Sequence, residues 1–130
     1  MIPAMVPAMV TVRYVPGKGR GVFAQKQFVQ DEVIERTPVI VLPIHQEQFL
    51  DQTALKDYYY YWNAETVAVA LGFGSLYNHA YTPNACYVRN HAETVMEFVA
   101  LRTIATDEEI TINYNGDPAD QAPLWFHVIG

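Results

Sequence analysis

The apolar residues of this chain come in short runs, each stopped by glycine or proline, and that punctuation leaves no room for a long helix. Val10–Val15 (VTVRYV) alternates apolar and polar residues, as a half-buried strand does. Gly17–Gly21 is a loop, and Val22–Ala24 opens a second strand. Val33–Val41 is rich in β-formers but contains Pro38, which predicts two short strands about a bend. Thr66–Leu71 is an apolar strand ended by Gly72-Phe73-Gly74; Cys86–Arg89, Val95–Leu101 and Glu109–Tyr114 follow it. Only Gln46–Asp57 shows helical spacing, with Phe49, Leu50 and Leu55 on one face. Tyr58–Trp62 (YYYYW) leads from it towards Thr66–Leu71. The expected class is mostly β with one short helix. Strands do not alternate with long helices, which argues against a doubly wound sheet.

The chain has 130 residues, which fits a single domain spanning residues 1–130. Apolar residues make up 51%, enough for a core, and no run approaches the roughly 18 that a membrane span needs. The start, MIPAMVPAMV, is apolar but lacks a basic leader and holds two prolines, which speaks against a signal peptide. Residues 1–9 read instead as an arm that packs on the body or on a second subunit. With the aromatic pair Trp125-Phe126 in the tail, this apolar surplus suggests a homodimer. Cys86 is the single cysteine, so an internal disulfide and a multi-cysteine zinc site are excluded and packing must hold the fold. A reducing compartment is expected. Net charge is −6, with only eight Lys and Arg residues and no basic cluster. That argues against a nucleic-acid binder and suits a basic partner such as a lysine-rich peptide.

Taken one at a time, the motifs have plain readings. Gly17-Lys18-Gly19-Arg20-Gly21 lacks the Lys-Ser/Thr pair of a phosphate loop and leads into a strand, where a dinucleotide fingerprint would open a helix. Its glycines still allow close backbone approach to a ligand. Ser75 is not in a GxSxG elbow, because the glycines stand at 72 and 74. His45, His79, His91 and His127 show no metal-ligand spacing, and no metal site is expected. Asp107–Tyr114 (DEEITINY) reads as a strand with acids at its turn, and the tyrosine run as aromatic packing on a sheet.

In order, the same motifs say more. GKGRGVFA, then LGFGSLYNHAYTPNA, then EEITINY resembles the SET-domain family of protein-lysine methyltransferases, over about residues 10–117. The family pattern is a GxG loop, an NHSxxPN-type segment and an EELxxxY-type segment. Here these are Gly17–Gly19, Asn78–Asn84 and Glu108–Tyr114. In size the chain is similar to short viral and bacterial SET proteins. Ala80 departs from the family's Ser or Cys, and the cysteine-rich zinc segments are absent, so Trp125 and Phe126 in a tail of residues 116–130 would have to close the site.

The resemblance implies a fold of small curved β-sheets with a C-terminal pseudoknot, and S-adenosylmethionine (SAM) as methyl donor. By analogy Lys18, Gly19 and Arg20 approach the donor through their backbone, Asn78 and His79 floor its pocket, and Tyr59 and Trp125 belong to the same site. Asn84 would pin the loop crossing by bonding backbone. Tyr114 is the expected catalytic residue, orienting amine and methyl. The channel walls would be aromatic: Tyr59 and Tyr61, or a neighbour one residue away, with Tyr87 and Trp125. Tyr87 and Ile112 hold positions that set the product state, which predicts mono- or dimethylation. The implied partner is a lysine-bearing protein, a histone or another basic protein, with neither nucleic acid nor membrane bound directly. An intracellular place of action goes with it, the cytoplasm or a host nucleus. The alternative is a non-catalytic SAM- or peptide-binding module of the same fold; Tyr114 and the Asn78-His79 pair favour the enzyme.

Overall fold

The computed structural model describes residues 7–122. Its strands are β1 (Val10–Val15), β2 (Gly19–Ala24), β3 (Val33–Pro43), β4 (Tyr59–Asn63), β5 (Thr66–Ala70), β6 (Asn78–His79), β7 (Ala85–Asn90), β8 (Val95–Ala100) and β9 (Glu109–Ile112), with one short helix, α1 (Glu47–Leu50). They form two sheets, one of four strands in the order β1-β2-β9-β6 and one of five in the order β4-β5-β3-β8-β7.

The first sheet begins as a hairpin, with Val10 opposite Ala24 and Val15 opposite Gly19. Its turn needs Gly17 and Gly19, whose φ angles are 82° and 84°. β2 then pairs antiparallel with β9, and β9 takes the two-residue strand β6 in parallel on its other side. Asn78 lies opposite Thr111 and His79 opposite Ile112. In this way a strand near the C-terminus is sandwiched between the glycine hairpin and the Asn-His pair.

Pro38 does not break its strand. β3 runs unbroken for 11 residues, in place of the two short strands expected about a bend. Proline marks where the strand changes partners: Val33 to Pro38 pair with β8, and Val39 to Pro43 pair with β5. Pro38 is solvent-exposed, and its carbonyl still accepts the Leu71 N–H at 3.0 Å. Only its missing N–H is lost to the ladder, and at a handover this is tolerated.

The expected helix over Gln46–Asp57 is also corrected. It is three short pieces: a 3-10 turn at Ile44–Gln46, α1, and a second 3-10 turn at Ala54–Asp57. Thr53 ends the first part, its hydroxyl donating to the Leu50 carbonyl and accepting the Leu55 N–H. Such local side-chain bonds compete with helix continuation. Of the three apolar residues that suggested a face, only Leu50 is buried.

The five-stranded sheet curls until its two edge strands face each other. Tyr60 of β4 packs edge-on to Tyr87 of β7 with centroids 4.9 Å apart, Arg89 donates from Nε to the Tyr61 carbonyl at 2.6 Å, and Trp62 meets His91 at 4.7 Å. Between the sheets lies one core in which Val22, Met96, Phe98, Ile104, Ile110 and Ile112 have no exposed surface. Each such side chain contributes roughly 1.5–3 kcal/mol by leaving water.

Candidate active site

Residues 71–77 carry the chain from β5 to β6, and their path is set by buried polar groups. Tyr60 donates its hydroxyl to the Gly74 carbonyl at 2.7 Å, and Thr37 donates to the Leu71 carbonyl at 2.5 Å. Glu35, buried in β3, accepts the Phe73 N–H at 2.9 Å and the Tyr77 hydroxyl at 2.8 Å. The Tyr77 ring is fully buried and stacked on Phe98, with centroids 4.3 Å apart. The Tyr77 side chain is therefore held both by its ring and by its hydroxyl.

From this anchor, Tyr77, Asn78 and His79 reach three different groups. The Tyr77 carbonyl accepts the Tyr114 hydroxyl at 2.5 Å. The Asn78 amide donates to the Arg20 carbonyl at 3.1 Å and to Glu109 Oε2 at 2.7 Å. The other oxygen of Glu109 lies 3.6 Å from Lys18 Nζ, and both side chains are largely shielded from solvent. The buried His79 ring accepts the Tyr114 N–H at Nδ1, 2.9 Å away, and packs against the rings of Tyr81 and Tyr114. Burial, and then the nearby Lys18 ammonium, hold the imidazole below its usual pKa and favour the neutral ring, and the Tyr114 N–H selects the tautomer whose Nδ1 accepts.

Tyr114 also faces a cavity of about 530 Å³. Its walls are phenols: Tyr58, Tyr59, Tyr60, Tyr61 and Tyr87, with Ser75, Asn115, Arg89, Lys56, Asp51 and Asp57 completing the lining. Burial, more than any neighbouring charge, pushes the Tyr114 pKa well above that of a free phenol. Its hydroxyl keeps its proton at neutral pH and donates a hydrogen bond to the Tyr77 carbonyl. Burial acts likewise on Tyr87. The hydroxyls of Tyr59 and Tyr61 turn to the carboxylates before the cavity, Tyr59 to Glu47 and Asp51 at 2.8 Å each and Tyr61 to Glu47 at 2.5 Å. Strand alternation puts Tyr60 on the opposite face, against Tyr87.

The residues singled out in the sequence thus fall into two linked groups. Lys18, Arg20 and Asn78 meet at the glycine hairpin, where Gly19 leaves open space. Tyr59, Tyr61, Tyr87 and Tyr114 line the cavity. His79 belongs to neither lining; it ties them through Tyr114. Ile112 is fully buried in the core and is not part of the cavity wall. Trp125 lies outside the described residues, as does Phe126, so only residues 116–122 of the expected closing tail are seen. These fold back on the segment after His79: Gln121 donates to the Tyr81 carbonyl and Tyr81 to the Ala122 carbonyl, both at 3.0 Å. Asn84 bonds backbone as expected, donating to the Glu109 carbonyl at 2.8 Å and accepting the Thr111 N–H at 2.9 Å.

Some residues of the site were not singled out. Glu109 stands in the EELxxxY-type segment without an expected role, and it holds both Asn78 and Lys18. Gly21 was read as part of a loop; a Cβ there would come within 2.6 Å of Glu109 Oε2 and 2.8 Å of Asn78 Nδ2. Arg89 lines the cavity and carries no local signal, whereas Tyr58 and Tyr60 are the one-residue neighbours allowed for beside Tyr59 and Tyr61.

Comparison with known proteins fits this geometry. A family profile described as "SET domain" matches residues 19–115. The chain is 33% identical over 123 residues to a histone-lysine N-methyltransferase of Schizosaccharomyces pombe described as H3 lysine-37 specific, which covers 94% of this chain and 80% of that protein. A crystal structure of a Plasmodium falciparum protein described as a histone methyltransferase superposes with a TM-score of 0.65 at 27% identity, over 84% of this chain and 95% of that one.

Proposed function

The chain belongs to the SET-domain family of protein-lysine methyltransferases, and we propose that it moves the methyl group of SAM to a lysine amine in a histone or another basic protein, stopping at the mono- or dimethyl product. One observation carries this reading: the Tyr114 phenol lines an aromatic cavity while its hydroxyl is aimed by the Tyr77 carbonyl, one residue before the Asn78-His79 pair.

The glycine hairpin suits the donor. A carboxylate (Glu109), an ammonium (Lys18) and an amide (Asn78) converge there, complementary to an amino-acid head group carrying both charges. The missing side chain at Gly21 makes the convergence possible. Lys18, Asn78 and Glu109 would hold that head group, and the backbone of Gly19 and Arg20 would lie along it. When bound, the donor supplies an electrophilic methyl on a sulfonium.

The chain's own residues do the rest. A free lysine has a pKa of about 10.4, so neutralising it near pH 7.5 costs about 4 kcal/mol. Phenol rings around the stem remove water from the amine and favour its neutral form. Tyr114 holds its proton and offers a fixed dipole. It aligns the amine, and alignment is worth several orders of magnitude in rate. No side chain is asked to act as a strong base. Tyr87 places a buried phenol in the same wall, where it limits the room for added methyl groups.

A basic substrate fits a chain of net charge −6. The relatives named above, described as histone methyltransferases, support the histone as the first candidate. An intracellular place of action goes with that substrate. A homodimer is also proposed, supported by exposed Ile40 and Phe49, and light scattering tests it. For the main reading, the purified chain is incubated with methyl-labelled SAM and a panel of histones and lysate proteins, and the modified residue is mapped by mass spectrometry. Label on a lysine side chain is expected; donor binding with no transfer to any protein would favour the non-catalytic module.

A further inference from the structure

A carboxylate buried 7% exposed in the middle of a strand needs a reason, because desolvation raises its energy. Glu35 in β3 has neutral partners, the Phe73 N–H on Oε2 at 2.9 Å and the Tyr77 hydroxyl on Oε1 at 2.8 Å. Burial pushes its pKa up, against the pull of these two donors. Packing alone would be served by an apolar residue. What the carboxylate supplies is an acceptor on each of two oxygens, for two donors four residues apart. The turn is shaped to meet it: Gly72 has a φ of 60°, and a Cβ there would lie 2.5 Å from Glu35 Oε2.

Both donors lie just before the site. Tyr77 is fixed by the stacking of its ring on Phe98 and by its hydroxyl on Glu35, and its carbonyl receives the Tyr114 hydroxyl at 2.5 Å. A peptide plane held so firmly gives the phenol one direction. We propose that Glu35 is a positioning residue for methyl transfer, setting the angle of the Tyr77 carbonyl and, through it, the direction of the Tyr114 phenol. The proposal rests on the methyltransferase reading of the site and extends it to a residue that touches neither donor nor lysine.

The test uses Glu35→Gln and Tyr77→Phe, singly and together. Glutamine keeps the shape but has only one acceptor oxygen for two donors. Each single variant should lower kcat about tenfold, as a small misalignment does, with KM for SAM and for the protein substrate within about twofold of wild type. The double variant should lose no more than either single one, because both break the same link. Ile104→Val, a core change away from the cavity, lowers Tm and should leave kcat alone. A second readout does not need turnover: the 13Cζ resonance of Tyr114, assigned by its loss in Tyr114→Phe, should shift in Glu35→Gln and in Tyr77→Phe. If wild type transfers no methyl, the methyltransferase reading fails, and this resonance alone decides whether Glu35 positions Tyr114. If Glu35→Gln does not fold, Tyr77→Phe supplies both readings. An unchanged kcat in a folded variant, additive losses, or an unmoved Tyr114 resonance overturns the proposal.

Discussion

The backbone N–H of Tyr114 donates to Nδ1 of His79 across 2.9 Å, so the chain beyond β9 is tied to β6 by a side chain where no strand ladder reaches. Only an imidazole with Nδ1 unprotonated can accept this bond. Burial and the Lys18 ammonium favour the neutral ring. One ring therefore connects the segment that carries the phenol to the pair beside the glycine hairpin.

This bond makes stability depend on pH in a stated direction. The folded pKa of His79 lies below the ordinary 6.5, so the unfolded chain takes up its proton first. The contribution is complete above about pH 6.5 and is lost as pH falls through that value towards the folded pKa. Urea midpoints between pH 7.5 and 5.5 should fall further for wild type than for His79→Gln. Equal falls would show that His79 does not carry the effect.

Asn84 is 3% exposed and bonds the backbone of β9 in both directions. Asn84→Ala leaves a buried N–H and a buried carbonyl without these partners, and should destabilise by about 2–4 kcal/mol. Urea denaturation measures this. A loss below about 1 kcal/mol would mean that water or a shifted backbone replaces the amide.

Gly21 leaves the space in which Glu109 and Asn78 meet. Gly21→Ala should displace both and weaken SAM binding about tenfold, or about 1.4 kcal/mol. Calorimetric titration with SAM reads the change. Unaltered affinity would remove the Asn78–Glu109 pair from the donor site.

How far these features could be read from sequence depended on what kind of signal each one leaves. β1 has the bounds that its alternation predicts, although of its residues only Val10 is buried and Tyr14, on the same face, is exposed. Pro38 misled, since proline reports a missing N–H and says nothing about whether the ladder needs one at that point. The helix over Gln46–Asp57 failed because Thr53 offered the backbone closer partners than the next turn did. β6 has two residues, too few for any periodicity, and only the Asn78-His79 motif marked its place. Tyr114, Asn78 and His79 came from ordered motifs. The roles of Glu109, Gly21 and Glu35 were not legible because they exist only across strands distant in sequence.

Tyr87 is 8% exposed, and its hydroxyl lies in the cavity wall near Gly116. Tyr87→Phe frees the space of one oxygen in the wall proposed to face the amine. The product should shift by one methyl towards the trimethyl form, with initial rates changed less than about threefold, about 0.7 kcal/mol in barrier. Mass spectrometry of a limit digest reads the product ratio. Mainly trimethyl-lysine from wild type would contradict the product state assigned to this wall.

Tyr114→Phe addresses the centre of the reading. The substitution keeps the ring and the backbone bond to His79, and removes the hydroxyl held by the Tyr77 carbonyl. The measurement is methyl transfer from labelled SAM to histone lysine by wild type and variant side by side, with SAM affinity determined for both. Transfer should fall by roughly 10²-fold or more while SAM binds as before. Equal transfer by the two proteins would contradict the role assigned to the Tyr114 phenol.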